Sequence, residues 1–103
     1  MKKEPEMFRQ GDLLFVKSEI PKKGRKIIRD GVIARGETTG HTHRIRSRIE
    51  ATLLLVGTAL YVRARQDTHI DHEDHDTVIL PPGGWQVTRQ QEYTPAGWRQ
   101  VSD

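Results

Sequence analysis

Thr52-Leu53-Leu54-Leu55-Val56 and Ala59-Leu60-Tyr61-Val62-Arg63-Ala64 are separated by Gly57-Thr58. Two apolar runs of strand length around a two-residue, glycine-containing turn read as a β-hairpin. Working outward, the same grammar repeats. Gly11-Asp12 is a turn signal before the run Leu13-Leu14-Phe15-Val16. Asp30-Gly31, between Ile27-Ile28-Arg29 and Val32-Ile33-Ala34-Arg35, predicts a further hairpin. A strand is expected from about His41 to Ile49, and Gln66 to Asp76 reads as a polar, acidic segment. Thr77 to Leu80 is a short strand, Pro81-Pro82-Gly83-Gly84 a turn, Trp85 to Tyr93 a strand, and Thr94-Pro95-Ala96-Gly97 a turn into Trp98 to Val101. No stretch of ten or more residues spaces its apolar positions as a helix would. The expectation is an all-β fold: one small barrel or sandwich of about eight short antiparallel strands over residues 1–103, with 1–8 as a flexible N-terminal arm.

Composition bounds the function. The chain has 103 residues, only 34% of them hydrophobic. Mean hydropathy is −0.71. The core is therefore thin, and a metal or a second subunit would supplement it. With no cysteine, disulfides, zinc ribbons and thiol catalysis are excluded. Met1-Lys2-Lys3-Glu4-Pro5-Glu6-Met7 has no apolar segment and is not read as a secretory signal. No apolar run approaches the roughly 20 residues that span a bilayer. A cytoplasmic protein without a membrane partner is expected. A net charge of +3 permits nucleic-acid contact without demanding it.

All five histidines fall between positions 41 and 75, in two groups, His41-Thr42-His43 and His69-Ile70-Asp71-His72-Glu73-Asp74-His75. If 41–49 is one strand, alternation puts His41, His43, Ile45, Ser47 and Ile49 on one face and Thr42, Arg44, Arg46 and Arg48 on the other. The arginine face is the wet one, so both imidazoles face the interior. Two inward imidazoles on one strand are half of a metal site. His72 and His75, on a turn or irregular loop, can complete it. The expected metal ligands are thus His41, His43, His72 and His75, holding a divalent transition metal such as zinc, iron, nickel or manganese. His69 is expected to point outward. The neighbouring carboxylates are read as acceptors that fix imidazole tautomers. Glu73 and Asp74 are also the acid/base candidates should the site be catalytic.

Gly36-Glu37-Thr38-Thr39-Gly40-His41-Thr42-His43 resembles a shortened first motif of the cupins, and Leu80-Pro81-Pro82-Gly83 the start of their second. Over about residues 30 to 92 this resemblance implies a small β-barrel with a metal inside, His41 and His43 matching the family's ligands. Arg44 to Arg48 stand where the first motif carries its Glu, and Trp85-Gln86-Val87 where the second carries its His. On this reading His72 and His75 take their places. The segments His72 to Gly83 and Arg89 to Tyr93 are also similar to those of small bacterial and phage proteins.

A second class of function rests on basic residues. Lys22, Lys23, Arg25 and Lys26 form a basic loop, and Arg44 and Arg46 lie on a basic strand face. Trp85, Tyr93 and Trp98 lie toward the C-terminus with Arg89 and Arg99. Basic stripes with aromatics are how small β-barrels hold single-stranded nucleic acid, and a nuclease would use the histidines as acid and base. Unpaired strand edges leave homodimerisation open. Nucleophile elbows and phosphate-binding loops are absent.

Overall fold

The computed structural model describes residues 6–36, 40–89, 91–94 and 97–100, the last two stretches as backbone only. Twelve strands carry it. In chain order they are β1 (Met7–Gln10), β2 (Leu13–Lys17), β3 (Arg25–Ile28), β4 (Val32–Arg35), β5 (Thr42–Ile45), β6 (Ala51–Val56), β7 (Ala59–Ala64), β8 (Thr68–Asp71), β9 (Val78–Leu80), β10 (Gly83–Arg89), β11 (Gln91–Thr94) and β12 (Gly97–Gln100). No helix occurs among the described residues, and none is long and apolar enough to cross a membrane.

The Gly57-Thr58 hairpin is as read. Val56 pairs with Ala59 across a two-residue turn, and every residue of β6 faces one of β7 in antiparallel register. Gly57 has φ 61° and Thr58 is not in the left-handed region. That is the pattern of a turn requiring glycine at its first central position. Gly11-Asp12 makes the equivalent two-residue turn between β1 and β2. Strand β1 takes in Met7 and Phe8, which the sequence placed in an arm.

Strands pair in the order β1-β2-β10-β7-β6-β3 in one sheet and β4-β5-β8-β9 in a second, with β11-β12 as a separate hairpin. Every pairing is antiparallel. One apolar core joins the two larger sheets. Leu13, Phe15, Leu53, Val62 and Trp85 come from the first, and Ile33, Ile45, Ile70 and Leu80 from the second. Trp85 is fully buried. Its indole N–H donates to Pro81 O at 2.9 Å and its ring meets Phe8 edge-on at 5.4 Å. A buried tryptophan needs such a partner for its N–H.

Three expectations are corrected. Asp30-Gly31 turns the chain but makes no hairpin: β3 pairs with β6 and β4 with β5. Here Asp30 Oδ1 accepts the Val32 N–H, Gly31 has φ 69°, and Gly31 O accepts the Ile45 N–H, so the turn hands the chain from one sheet to the other. The strand expected from His41 to Ile49 ends at Ile45, and Ile49 is 77% exposed. Its strict alternation also fails, because Thr42 and His43 are both buried. Lastly, the polar segment 66–76 contains β8. Thr68 and Ile70 are fully buried there, while His69 and Asp71 are half-buried.

Candidate metal centre

The pairing of β5 with β8 builds the histidine cluster. Arg44 faces Asp71 and Ile45 faces Ile70 in antiparallel register. Extending that register sets His43 against His72, Thr42 against Glu73 and His41 against Asp74, although the backbone ladder stops at Arg44. The side chains obey it. The His43 and His72 rings lie 4.4 Å apart between centroids. Glu73 accepts from the Thr42 N–H at 2.9 Å and from its hydroxyl at 3.3 Å. His41 Nδ1 lies 2.9 Å from Asp74 Oδ2. His75, three residues beyond His72, turns back to bring its ring 4.5 Å from that of His72 and parallel to His43 at 6.2 Å. The rings of the four histidines thus lie in one cluster, but the expected four-histidine ligand set is not what meets there: among the described residues the ligand atoms brought together are those of His41, His72 and Glu73.

Their nitrogens are not equivalent. His41, His72 and Glu73 each offer a ligand atom, all within 4.8 Å of one another. Glu73 is held ionised, its carboxyl kept below the usual range first by the Thr42 backbone N–H, then by its own, with Thr42's hydroxyl and His72 adding to this. Asp74 beside His41 Nδ1 is the kind of carboxylate neighbour that, in metal-bound histidines, leaves Nε2 as the ligating nitrogen. His72 Nδ1 accepts the N–H groups of Asp74 at 3.0 Å and His75 at 3.2 Å. That fixes the neutral ring's proton on Nε2. Coordination through Nε2 would move the proton to Nδ1 and release both amides.

His43 is directed elsewhere. It is fully buried, with Nδ1 2.9 Å from Gln10 Oε1 and Nε2 3.5 Å from Asp12 Oδ1. Asp12 in turn accepts from Arg89 Nε at 2.9 Å. Gln10 and Asp12, 2% and 3% exposed, are the buried polar partners of His43 that the sequence reading missed. They flank Gly11 at the turn of the β1–β2 hairpin, next to the apolar run Leu13-Leu14-Phe15-Val16. His69 stands apart from the cluster. It is half-buried, and its backbone N–H and Nδ1 both meet Glu50 Oε1, at 2.7 and 2.9 Å.

The basic residues are dispersed. Lys22, Lys23, Arg25 and Lys26 are exposed at and before β3, on the edge of the six-stranded sheet. Arg25 is spent on the Pro21 and Ile20 carbonyls of its own loop. Arg44 turns onto Thr42 Oγ1, and Arg46 makes a two-pronged ion pair with Asp71, both bonds 2.9 Å. The side chains of Tyr93, Trp98 and Arg99, and residues 37–39 of the cupin-like motif, lie outside the described residues.

A protein-family profile, described as "Domain of unknown function (DUF8820)", matches residues 9–90. The chain belongs to this family. No curated protein and no solved structure matches it.

Proposed function

We propose that the protein binds a divalent transition-metal ion (zinc, iron, nickel or manganese) through His41, His72 and Glu73. His43 and His75 wall the site. The observation that carries this is the convergence of two imidazole nitrogens and an ionised carboxylate within 4.8 Å. Donors of this type and number suit these metals. The likeness of Gly36 to His43 and of Leu80 to Gly83 to the cupin motifs supports a metal at His41, although the motif's second histidine, His43, is turned to Gln10 and Asp12 instead. Glu73 then serves as a ligand, and Asp74 orients His41.

Three protein ligands leave coordination positions for water or a small substrate, which favours a catalytic site over a closed structural clip. A metal there would polarise a bound oxygen. The chain's own residues would orient His41 through Asp74, keep Glu73 charged through Thr42, and exclude water on the core side through His43.

The test is calorimetric titration of chelator-stripped, untagged protein with each metal at neutral pH. His41→Ala, His72→Ala and Glu73→Gln should each weaken the tightest metal by about tenfold or more, the usual scale for a lost ligand contact. His69→Ala should leave it unchanged. Equal affinity in wild type and all three ligand variants would remove the proposal.

A further inference from the structure

Where the two sheets part, between the end of β3 and the segment after β5, lies a cavity of about 460 Å³. That is the size of a small-molecule site. Ile28, Ile45, Ala51 and Leu53 give it an aliphatic lining, and Ile27, 51% exposed, extends this to the mouth. Arg29, Arg46 and Arg48 also line it. Asp30 is the one carboxylate among the described lining residues, and its Oδ1 accepts the Val32 N–H. Arg46 is neutralised by Asp71. Arg29 and Arg48, both exposed, therefore outnumber Asp30 and leave the lining net positive.

The walls are fixed from behind. Arg65 donates to Ile49 O at 3.2 Å, to Thr52 Oγ1 at 2.6 Å and to Arg48 O. The Glu50 N–H reaches Ser47 O at 3.1 Å, closing the turn that carries Arg48. On the opposite side the Ile45 N–H holds Gly31 O at 3.0 Å. A cavity braced in this way loses little entropy when filled.

We propose that this cavity binds an aliphatic carboxylate, its chain against Ile28, Ile45 and Leu53 and its head group on Arg29 and Arg48. Paired N–H donors of arginine match a carboxylate, and burial of the chain supplies the attraction that surface arginines alone would not. None of the described residues lining the cavity is aromatic, so they offer a nucleobase nothing to stack on. The site is separate from the histidine cluster and does not depend on a metal.

The probe is decanoate, added below its micelle concentration to ¹⁵N-labelled protein in the presence of EDTA, with decanol as the uncharged control. Decanoate should bind saturably and move the amides of 27–31 and 45–53. Decanol, and decanoate with the Arg29→Ala/Arg48→Ala variant, should each bind about tenfold or more weakly, the scale of one charge-assisted contact. Both arginines are exposed, so the variant should fold, which an unchanged thermal melt would verify. Arg63→Ala, outside this cavity, should leave binding intact. Equal binding of decanol, equal binding by the double variant, or shifts centred elsewhere would overturn the proposal.

Discussion

Gln10 Oε1 lies 2.9 Å from His43 Nδ1, and the same amide's Nε2 donates to Ile70 O at 2.7 Å and Asp76 O at 2.9 Å. The two carbonyl contacts fix which way the amide points, so its oxygen can only accept, and His43 must carry a proton on Nδ1. One side chain thereby sets the tautomer of the innermost histidine. It also ties both ends of the loop that carries His72, Glu73 and His75.

Gln10→Leu removes that amide at nearly constant volume. It leaves a buried imidazole N–H and two carbonyls without their partner. A loss of about 2–4 kcal/mol is expected, since each buried polar group left unpaired costs roughly 1–3 kcal/mol. Urea denaturation measures it. A change under about 0.5 kcal/mol, the level of an ordinary surface substitution, would show that the network contributes nothing.

Gly84 is required for space rather than for a turn. A Cβ there would stand 2.4 Å from Ser18 O and 3.0 Å from Ile20 Cγ1, where the Ser18 N–H already bonds Gly84 O at 2.9 Å. Gly84→Ala should push residues 18–20 off β10 and cost about 1–3 kcal/mol, as overpacking does. Gly24→Ala meets open space and is strained only by its φ of 77°. A thermal melt in which Gly84→Ala matches wild type would contradict the close approach.

Glu50 gives the fold a pH dependence. It is buried, and the backbone N–H of His69, followed by that residue's ring, holds its carboxyl below the usual range. A carboxyl lowered in the folded state contributes stability above its ordinary value of 4.5 and loses it as pH falls through the native value. The melting-temperature gap between wild type and Glu50→Gln should therefore be widest near neutrality and close between about pH 5 and about pH 3. A gap that stays constant over that range would show that ionised Glu50 is not the source.

Much of the fold was legible because it depends on local chemistry. Gly57-Thr58 announces its hairpin, and Gly11-Asp12 its turn, through backbone freedom alone; β1, before the second of these turns, was hidden in a polar stretch and read in part as an arm. The histidines of 41–43 and 72–75 were expected together and are together. What was not legible is tertiary. Asp30-Gly31 carries the same local signal as a hairpin turn, and only the competing pairing of β3 with β6 sends it between sheets. Thr42 is buried against strand parity because Glu73 supplies both its N–H and its hydroxyl with an acceptor. Strand β8 was hidden because Thr68 and Ile70 alternate with His69 and Asp71, so its polar face dominated the composition. The division of labour among the histidines depends on Gln10 and Asp12, more than thirty residues away in sequence, and no spacing rule reaches them.

Metal binding at His72 should be visible at two amides. Because His72 Nδ1 accepts from Asp74 and His75, coordination through Nε2 must break both bonds. Zinc added to ¹⁵N-labelled protein should shift the Asp74 and His75 amides among the most, and leave His69 nearly still. Undisturbed Asp74 and His75 amides in the metal-loaded protein would exclude coordination through His72 Nε2.

The metal content of untagged protein, purified without metal resin, decides whether His41 and His72 hold an ion. Wild type should carry near-stoichiometric transition metal, and His41→Ala/His72→Ala should carry none while keeping its strand content by circular dichroism. Metal at the same level in that variant, or wild type that neither contains nor takes up zinc, iron, nickel or manganese, would contradict the account.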